Sequence, residues 1–408
     1  MQQPEEGCLY EDKKILSKGA DVVYQSAPAS LKAMQRIVIK IGSKILTDGN
    51  GHFNEAVVKS LVKDIATIKA KENIEVAIVS SGAVALGRSI KSLEKFDLGT
   101  SAIKYDKAIL REQILAAVGQ PRLMAFYCKE FAKYKLTCAQ ILATRAVFAD
   151  RQAYLSIRTV TESLIKLNTI PIFNENDVLS PEELDFSDND QLASMVAAML
   201  VADKLIVLSN IEGVYDNVVN GAKRKIIPVI EKVNSYLKNI DDSKSLGKGG
   251  MSSKLNIADL ITSLGIDMHI ASGSENKVIS RILAGEKIGT FFPSKSKKVK
   301  AIKNWLATAA VSHGKIYVST YLADILKKKQ TASILITGIE KIEGKFNKGE
   351  VVGIYGDDKK LLGRGLTHYS SRDIEQKIVW YNKKSDNEKV KIKAADIVAV
   401  HYDYFSFV

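Results

Sequence analysis

From residue 36 the chain alternates short apolar runs with longer stretches whose apolar positions recur every three or four residues. The run Arg36-Ile37-Val38-Ile39-Lys40-Ile41 reads as a buried strand. Residues 54–71 place Val57, Val58, Leu61, Ile65 and Ile68 at helical spacing. Val76-Ala77-Ile78-Val79 predicts a second strand, ending in Ser80-Ser81-Gly82-Ala83. Residues 108–134 predict a helix broken at Gly119-Gln120-Pro121, since proline removes a backbone donor and crowds the preceding turn. A strand follows at 137–142, a helix at 151–167 and a strand at 170–173. An apolar helix runs to about 201, then a strand spans 205–208, a helix about 251–264 and a strand 266–270. This alternation predicts an α/β fold, a mostly parallel sheet flanked by helices.

The Lys- and Pro-containing segment Pro293-Ser294-Lys295-Ser296-Lys297-Lys298 marks a boundary. Beyond about 312 the helical signal fades. Short β-type runs replace it at Ile316-Tyr317-Val318, Ile334-Leu335-Ile336, Val351–Tyr355 and Ile397–Val400. The predicted organisation is an N-terminal extension of unknown role (1–34), an α/β domain (35–290), a linker (291–311) and a small, mainly β domain (312–408).

A length of 408 residues suits two domains. No apolar run reaches the roughly 18 residues that a membrane helix needs. The N-terminus is polar and acidic, without a secretory signal. Three sparse cysteines, Cys8, Cys128 and Cys138, fit a reduced, cytoplasmic protein better than a disulfide framework. No Cys/His cluster has metal-ligand spacing, so no protein-bound metal is expected. The net charge of +13 is uneven: residues 290–408 carry +10 and residues 1–289 carry +3. A basic C-terminal domain suits RNA, but the excess is mostly lysine, and a chain-wide lysine bias gives the same balance without a partner.

Candidate chemistry gathers at the strand ends. Asn174-Glu175-Asn176-Asp177 follows one strand, and Asp188-Asn189-Asp190 opens the apolar helix. Amides and carboxylates this dense are costly to bury unpaired. At the C-terminal edge of a parallel sheet they suit a small polar ligand. A polar surface loop with an aspartate cap reads equally well from this pattern alone. Glycine turns at Gly42-Ser43, Ser80-Ser81-Gly82 and Lys248-Gly249-Gly250 free backbone N–H groups for an anion. Neither a Walker A pattern nor a G-x-G-x-x-G fingerprint occurs. Lys40 and Lys254 accompany two of these turns. Such lysines suit phosphoryl transfer, although a solvated surface lysine is the commoner case.

In order along the chain, Lys40-Ile41-Gly42-Ser43 and Val79-Ser80-Ser81-Gly82-Ala83-Val84-Ala85-Leu86-Gly87-Arg88 resemble the amino acid kinase family. Leu115–Gln120, Asn174–Asp177, Asp188–Asp190 and Gly249-Gly250-Met251-Ser252-Ser253-Lys254 narrow the resemblance to the glutamate 5-kinases of that family. It runs from about 36 to 290. The C-terminal stretch resembles a PUA domain through Ser333-Ile334-Leu335 to Gly338-Ile339, then Gly344, Phe346, Gly349, Gly363-Arg364-Gly365-Leu366 and Tyr369-Ser370-Ser371.

The resemblance implies ATP- and Mg²⁺-dependent phosphorylation of the glutamate γ-carboxylate, the first step of proline biosynthesis. By position it implies that Lys40 and Lys254 stabilise the phosphoryl group and that Asp190 holds them. Ser81, Gly82, Asn174, Asp177, Asp188 and Asn189 would bind glutamate. Lys40, Ser209, Asn210, Lys248, Gly249, Gly250, Met251, Ser252, Ser253 and Lys254 would bind nucleotide. Self-association and handover of a labile acyl phosphate to glutamyl phosphate reductase follow as expectations. Three positions depart from the family pattern: Ser209-Asn210 where it has Thr-Asp, Lys248 where it has Thr, and Ser187 where it has Gly. The alternative reading is an RNA-binding or regulatory protein acting through the PUA-like domain, with a weakened kinase site.

Overall fold

The structure, a computed structural model, describes residues 34–48, 51–71, 73–90, 106–179, 189–216, 225–237, 250–328 and 330–407. The predicted N-terminal extension lies outside them apart from Met34, and so do Ser187, Asp188, Lys248 and Gly249. The described residues belong to one compact unit, Met34–Val408.

In chain order the first part comprises β1 (Gln35–Ile41), α1 (Glu55–Lys69), β2 (Ile74–Val79), α2 (Ala83–Arg88), α3 (Lys107–Ala132), β3 (Thr137–Ala143), α4 (Arg145–Ala149) and α5 (Arg151–Lys166). It continues with β4 (Thr169–Glu175), α6 (Asp190–Met199), β5 (Lys204–Ser209), α7 (Asn234–Leu237), α8 (Met251–Ser263), β6 (Asp267–Ser272), α9 (Val278–Leu283), β7 (Thr290–Phe292) and α10 (Ala301–Thr308). The strands form a seven-stranded sheet in the order β3-β4-β2-β1-β5-β6-β7. Every pairing is parallel except that of β7 with β6. This is the α/β architecture that the alternation predicts. The middles of the central strands are apolar because helices cover both faces; Val38, Ile39, Val207 and Ile270 have no exposed surface.

The sheet therefore has two cores. On one face Val38, Val79 and Val207 pack beneath α6 and α8, with Met195, Val196, Leu255 and Ile261. On the other, Ile37, Ile39 and Ile78 pack against α1 and α3, with Leu61, Ile65, Leu123 and Tyr127.

Helix α3 corrects one sequence expectation. It runs unbroken from Lys107 to Ala132 with Pro121 inside it. Gly119 serves the crossing of α2 over α3: a Cβ there would lie 1.8 Å from the Ala83 carbonyl oxygen, and one on Gly87 would lie 2.1 Å from that of Leu115. The two glycines let the backbones touch, so the stretch read as a break is a packing site.

The second part contains β8 (Gly314–Val318), α11 (Thr320–Lys327), β9 (Ile334–Leu335), β10 (Ile339–Glu343), β11 (Val351–Tyr355), β12 (Leu361–Leu366), α12 (Ser371–Asn382), β13 (Val398–Val400) and β14 (Phe405–Phe407). Its main sheet has the order β10-β8-β11-β12-β14. Helical structure does not fade here. Ser319 caps α11, and Ser370 with Asp373 forms a capping box on α12. Strand β12 escapes sequence reading because its glycines interrupt the apolar run. They are needed where β14 approaches: a Cβ on Gly363 would lie 2.4 Å from the Ser406 carbonyl oxygen.

Within the stretch read as a linker, α10 is packed. Trp305 and Asn304 are buried, and Trp305 Nε1 donates to the Phe148 carbonyl at 2.9 Å. Val351 and Leu366 of the second part pack into the same core as Trp305 and Leu306. Arg364 of β12 donates to the carbonyls of Leu306 and Ala307 at 3.5 and 3.4 Å. Among the described residues no helix is long and apolar enough to cross a membrane.

Candidate active site

Strands β1, β2, β4 and β5 end on the same edge of the parallel sheet, so their last residues and the following loops converge. Lys40 stands near the end of β1. Asp190 is the first residue of α6, and Lys254 lies in the first turn of α8. All three are buried. One Asp190 carboxylate holds both lysines: Oδ1 lies 2.6 Å from Lys40 Nζ and Oδ2 2.8 Å from Lys254 Nζ. Burial alone would push this carboxyl up. The two ammonium groups and their hydrogen bonds outweigh it, so Asp190 sits below the ordinary carboxylate value. The cluster carries a surplus positive charge in a dry place, which suits an anion.

Beside it lies an amide network. Asn189 is the N-cap of α6, yet its side chain does not cap that helix. Its Nδ2 donates instead to Asn174 Oδ1 at 2.8 Å, to Ser81 Oγ at 3.3 Å and to the Ser80 carbonyl. Asn174 is buried at the end of β4 and donates to Gln120 Oε1 at 2.6 Å. Gly82 follows Ser81 with φ at 95°, a left-handed conformation suited to glycine, and starts α2. Ser81, Gly82, Asn174 and Asn189 are thus brought together.

Asp177 lies on the turn after β4. The side chain of Gln113 donates to its carbonyl at 3.3 Å and to that of Val178 at 3.2 Å. Burial, with Glu112 nearby, pushes the Asp177 carboxyl up to about 6.

Ser209 ends β5 and Asn210 follows it, next to the Leu208 carbonyl that accepts from the Gly42 N–H at 3.0 Å. Gly250 is the N-cap of α8, with Met251, Ser252 and Ser253 in its first turn. A helix start of this kind offers backbone N–H groups and a positive dipole end to an anion. Among the described residues no group of three or more His, Cys, Asp or Glu side chains could hold a metal ion.

Sequence reasoning assigned no role to Gln113, Gln120 or Tyr127. The signal was present: they recur at seven-residue spacing, which places them on one face of α3. Two of them reach the end of β4 and the turn after it, and the third reaches the end of β2. Gln113 holds the Asp177 turn, Gln120 holds Asn174, and Tyr127 OH lies 2.9 Å from Ser80 Oγ. In the second part, several lysines have local partners, among them Lys315 and Lys341 with Glu343, and Lys384 with Glu388.

The model of the amino acid kinase family matches residues 35–272, and that of the PUA domain matches residues 314–386. A glutamate 5-kinase of Chlorobaculum tepidum is 37% identical over 81% of this chain and 90% of its own length. A glutamate 5-kinase of Caldanaerobacter subterraneus subsp. tengcongensis is 36% identical over 84% of this chain and 90% of its own. One of Dehalococcoides mccartyi is 35% identical over the same shares. Among solved structures, a UMP kinase of Bacillus anthracis covers 65% of this chain and 98% of its own at 15% identity, with a TM-score of 0.43, too distant a likeness to bear on function. This chain belongs to the amino acid kinase family and carries a PUA domain behind its kinase fold.

Proposed function

We propose that this protein is a glutamate 5-kinase, which transfers the γ-phosphoryl group of ATP to the side-chain carboxylate of glutamate and so opens proline biosynthesis. The observation that carries the reading is the Lys40-Asp190-Lys254 cluster set beside the Asn174-Asn189-Ser81 network. The relatives' names point to the same reaction.

The chemistry asks little proton transfer of the protein. A carboxylate nucleophile has a pKa of about 4.3 and is ionised at neutral pH, so no general base is required. Positioning and charge neutralisation remain. Lys40 and Lys254 counter the charge on the transferring phosphoryl group, and Asp190 fixes where the two ammonium groups stand. The start of α8, from Gly250 to Lys254, takes the nucleotide phosphates, with Ser209 and Asn210 nearby. Lys248 and Gly249 belong to the same nucleotide-binding assignment. Ser81, Gly82, Asn174 and Asn189 hold the amino acid, and the carboxylates of Asp177 and Asp188 suit its ammonium group.

Mg²⁺ would neutralise phosphate charge. Both oxygens of Asp190 engage lysines, so the ion would be carried mainly by nucleotide phosphates and water, a mode that suits it. The domain limits proposed are 35–290 for the kinase, 291–311 for the connection and 312–408 for the PUA domain. Handover to a reductase suits a labile acyl phosphate.

The test is coupled ADP release with ATP and Mg²⁺, comparing glutamate, aspartate, N-acetylglutamate and no acceptor. Glutamate-dependent turnover is expected. Equal turnover with aspartate, or none with any acceptor in folded protein, would overturn the reading.

A further inference from the structure

Cys128 lies near the end of α3, and Cys138 is the second residue of β3. A short connection turns the chain back, so the two side chains meet with their Sγ atoms 3.2 Å apart. Cys128 is exposed and Cys138 half-buried. Neither belongs to the proposed catalytic machinery. We propose that Cys128 and Cys138 form a reversible disulfide that staples α3 to the edge strand β3 when the protein meets a small-molecule disulfide oxidant.

The order of events follows from access. The exposed Cys128 thiolate attacks one sulfur of oxidised glutathione, and a glutathione thiolate leaves with the electron pair of the broken S–S bond. The Cys138 thiolate then attacks Cys128 Sγ, closes the intramolecular bond and expels the second glutathione thiolate. Two protein thiols lose two electrons and two protons, and one disulfide becomes two thiols. Burial, with its sulfur neighbour, pushes the Cys138 thiol up to about 12, which makes it the resolving group and not the first nucleophile. Closing the bond requires the sulfurs to approach to about 2.05 Å.

The position gives the bond its consequence. Tyr127 precedes Cys128 and touches Ser80 at the foot of the Ser81-Gly82 turn. The same helix holds Asn174 through Gln120. A staple here fixes the helix that anchors the loops around the amide network. This inference is independent of the reaction assigned to the site.

The experiment uses the full chain with Cys8→Ser, so that only this pair can react. After incubation with oxidised glutathione, both thiols should resist maleimide. The chain should be lighter by two hydrogens, and digestion should yield one peptide pair linked through 128 and 138. Dithiothreitol should restore both thiols. Cys138→Ser in the same background should stop at a glutathione adduct on Cys128. The oxidised chain should unfold at a higher temperature than the reduced one. A persistent adduct on Cys128 beside a free Cys138, unchanged thiols, links between two chains, or an unmoved unfolding temperature would overturn the proposal.

Discussion

The side-chain amide of Asn304 donates to the carbonyl of Ala198 at 2.9 Å, tying α10 to the last turns of the helix that begins with Asp190. Both residues are fully buried, so water cannot replace the bond. Asn304→Ala would remove that bond and leave the carbonyl with the longer bond from the Val201 N–H at 3.3 Å, at a cost of about 0.5–1.5 kcal/mol. Denaturant unfolding should register the loss. Because Asp190 lies at the opposite end of α6, the KM for glutamate should change little. A large KM change with unaltered stability would contradict this division.

The shared carboxylate of Asp190 gives a sharper expectation. Asp190→Asn removes one negative charge and leaves two buried ammonium groups facing each other. Losing one partner of a buried ion pair costs about 3–5 kcal/mol. Turnover should fall by about 100-fold or more, as when a charge-stabilising group is removed. Steady-state ADP release and thermal unfolding measure the two effects. Wild-type turnover in this variant would remove Asp190 from the mechanism.

The raised carboxyl of Asp177 sets a pH dependence. Its folded value of about 6 lies above the ordinary carboxylate value, so the protonated form is favoured by folding. Its stabilising contribution is present below the unfolded pKa of about 3.9 and is lost as pH rises through about 6. Binding runs the other way. If the carboxylate holds the substrate ammonium, the KM for glutamate should rise as pH falls through about 6, while the γ-carboxylate stays ionised. Asp177→Asn should raise KM and flatten that dependence. A profile identical in both proteins would exclude the contact.

Gly119→Ala tests the helix crossing. The new methyl would sit 1.8 Å from the Ala83 carbonyl oxygen, so α2 and α3 must part. Overpacking of this kind costs about 1–3 kcal/mol and can cost more. Since Gly82 is the N-cap of α2, a weaker KM for glutamate should accompany the lowered unfolding midpoint. Unchanged stability would mean that the crossing yields freely.

Ending the chain before Ser312 tests the joint between the two parts. Val351 and Leu366 pack into the core that Trp305 and Leu306 share with α6. Their removal should lower the unfolding temperature of what remains. Two independent thermal transitions in the full chain, one surviving unaltered after truncation, would show that the parts fold separately.

The sequence by itself determined the α/β alternation, because apolar strands covered on both faces cannot be disguised. It also placed Lys40, Asp190 and Lys254 at element ends, where a parallel sheet gathers its chemistry. Position along the chain could not decide contact. That two distant lysines share one carboxylate depends on β1, α6 and α8 meeting in space. Asn189 could have capped its own helix; only the approach of β2 and β4 turned its amide towards Ser81 and Asn174. Gly119-Gln120-Pro121 carried the local signature of a break, yet close packing against α2 held the helix through it. In the second part, β12 hid behind glycines that a neighbouring backbone requires. Local pattern chose the elements. Burial and backbone proximity, which are properties of the assembled fold, chose the partners.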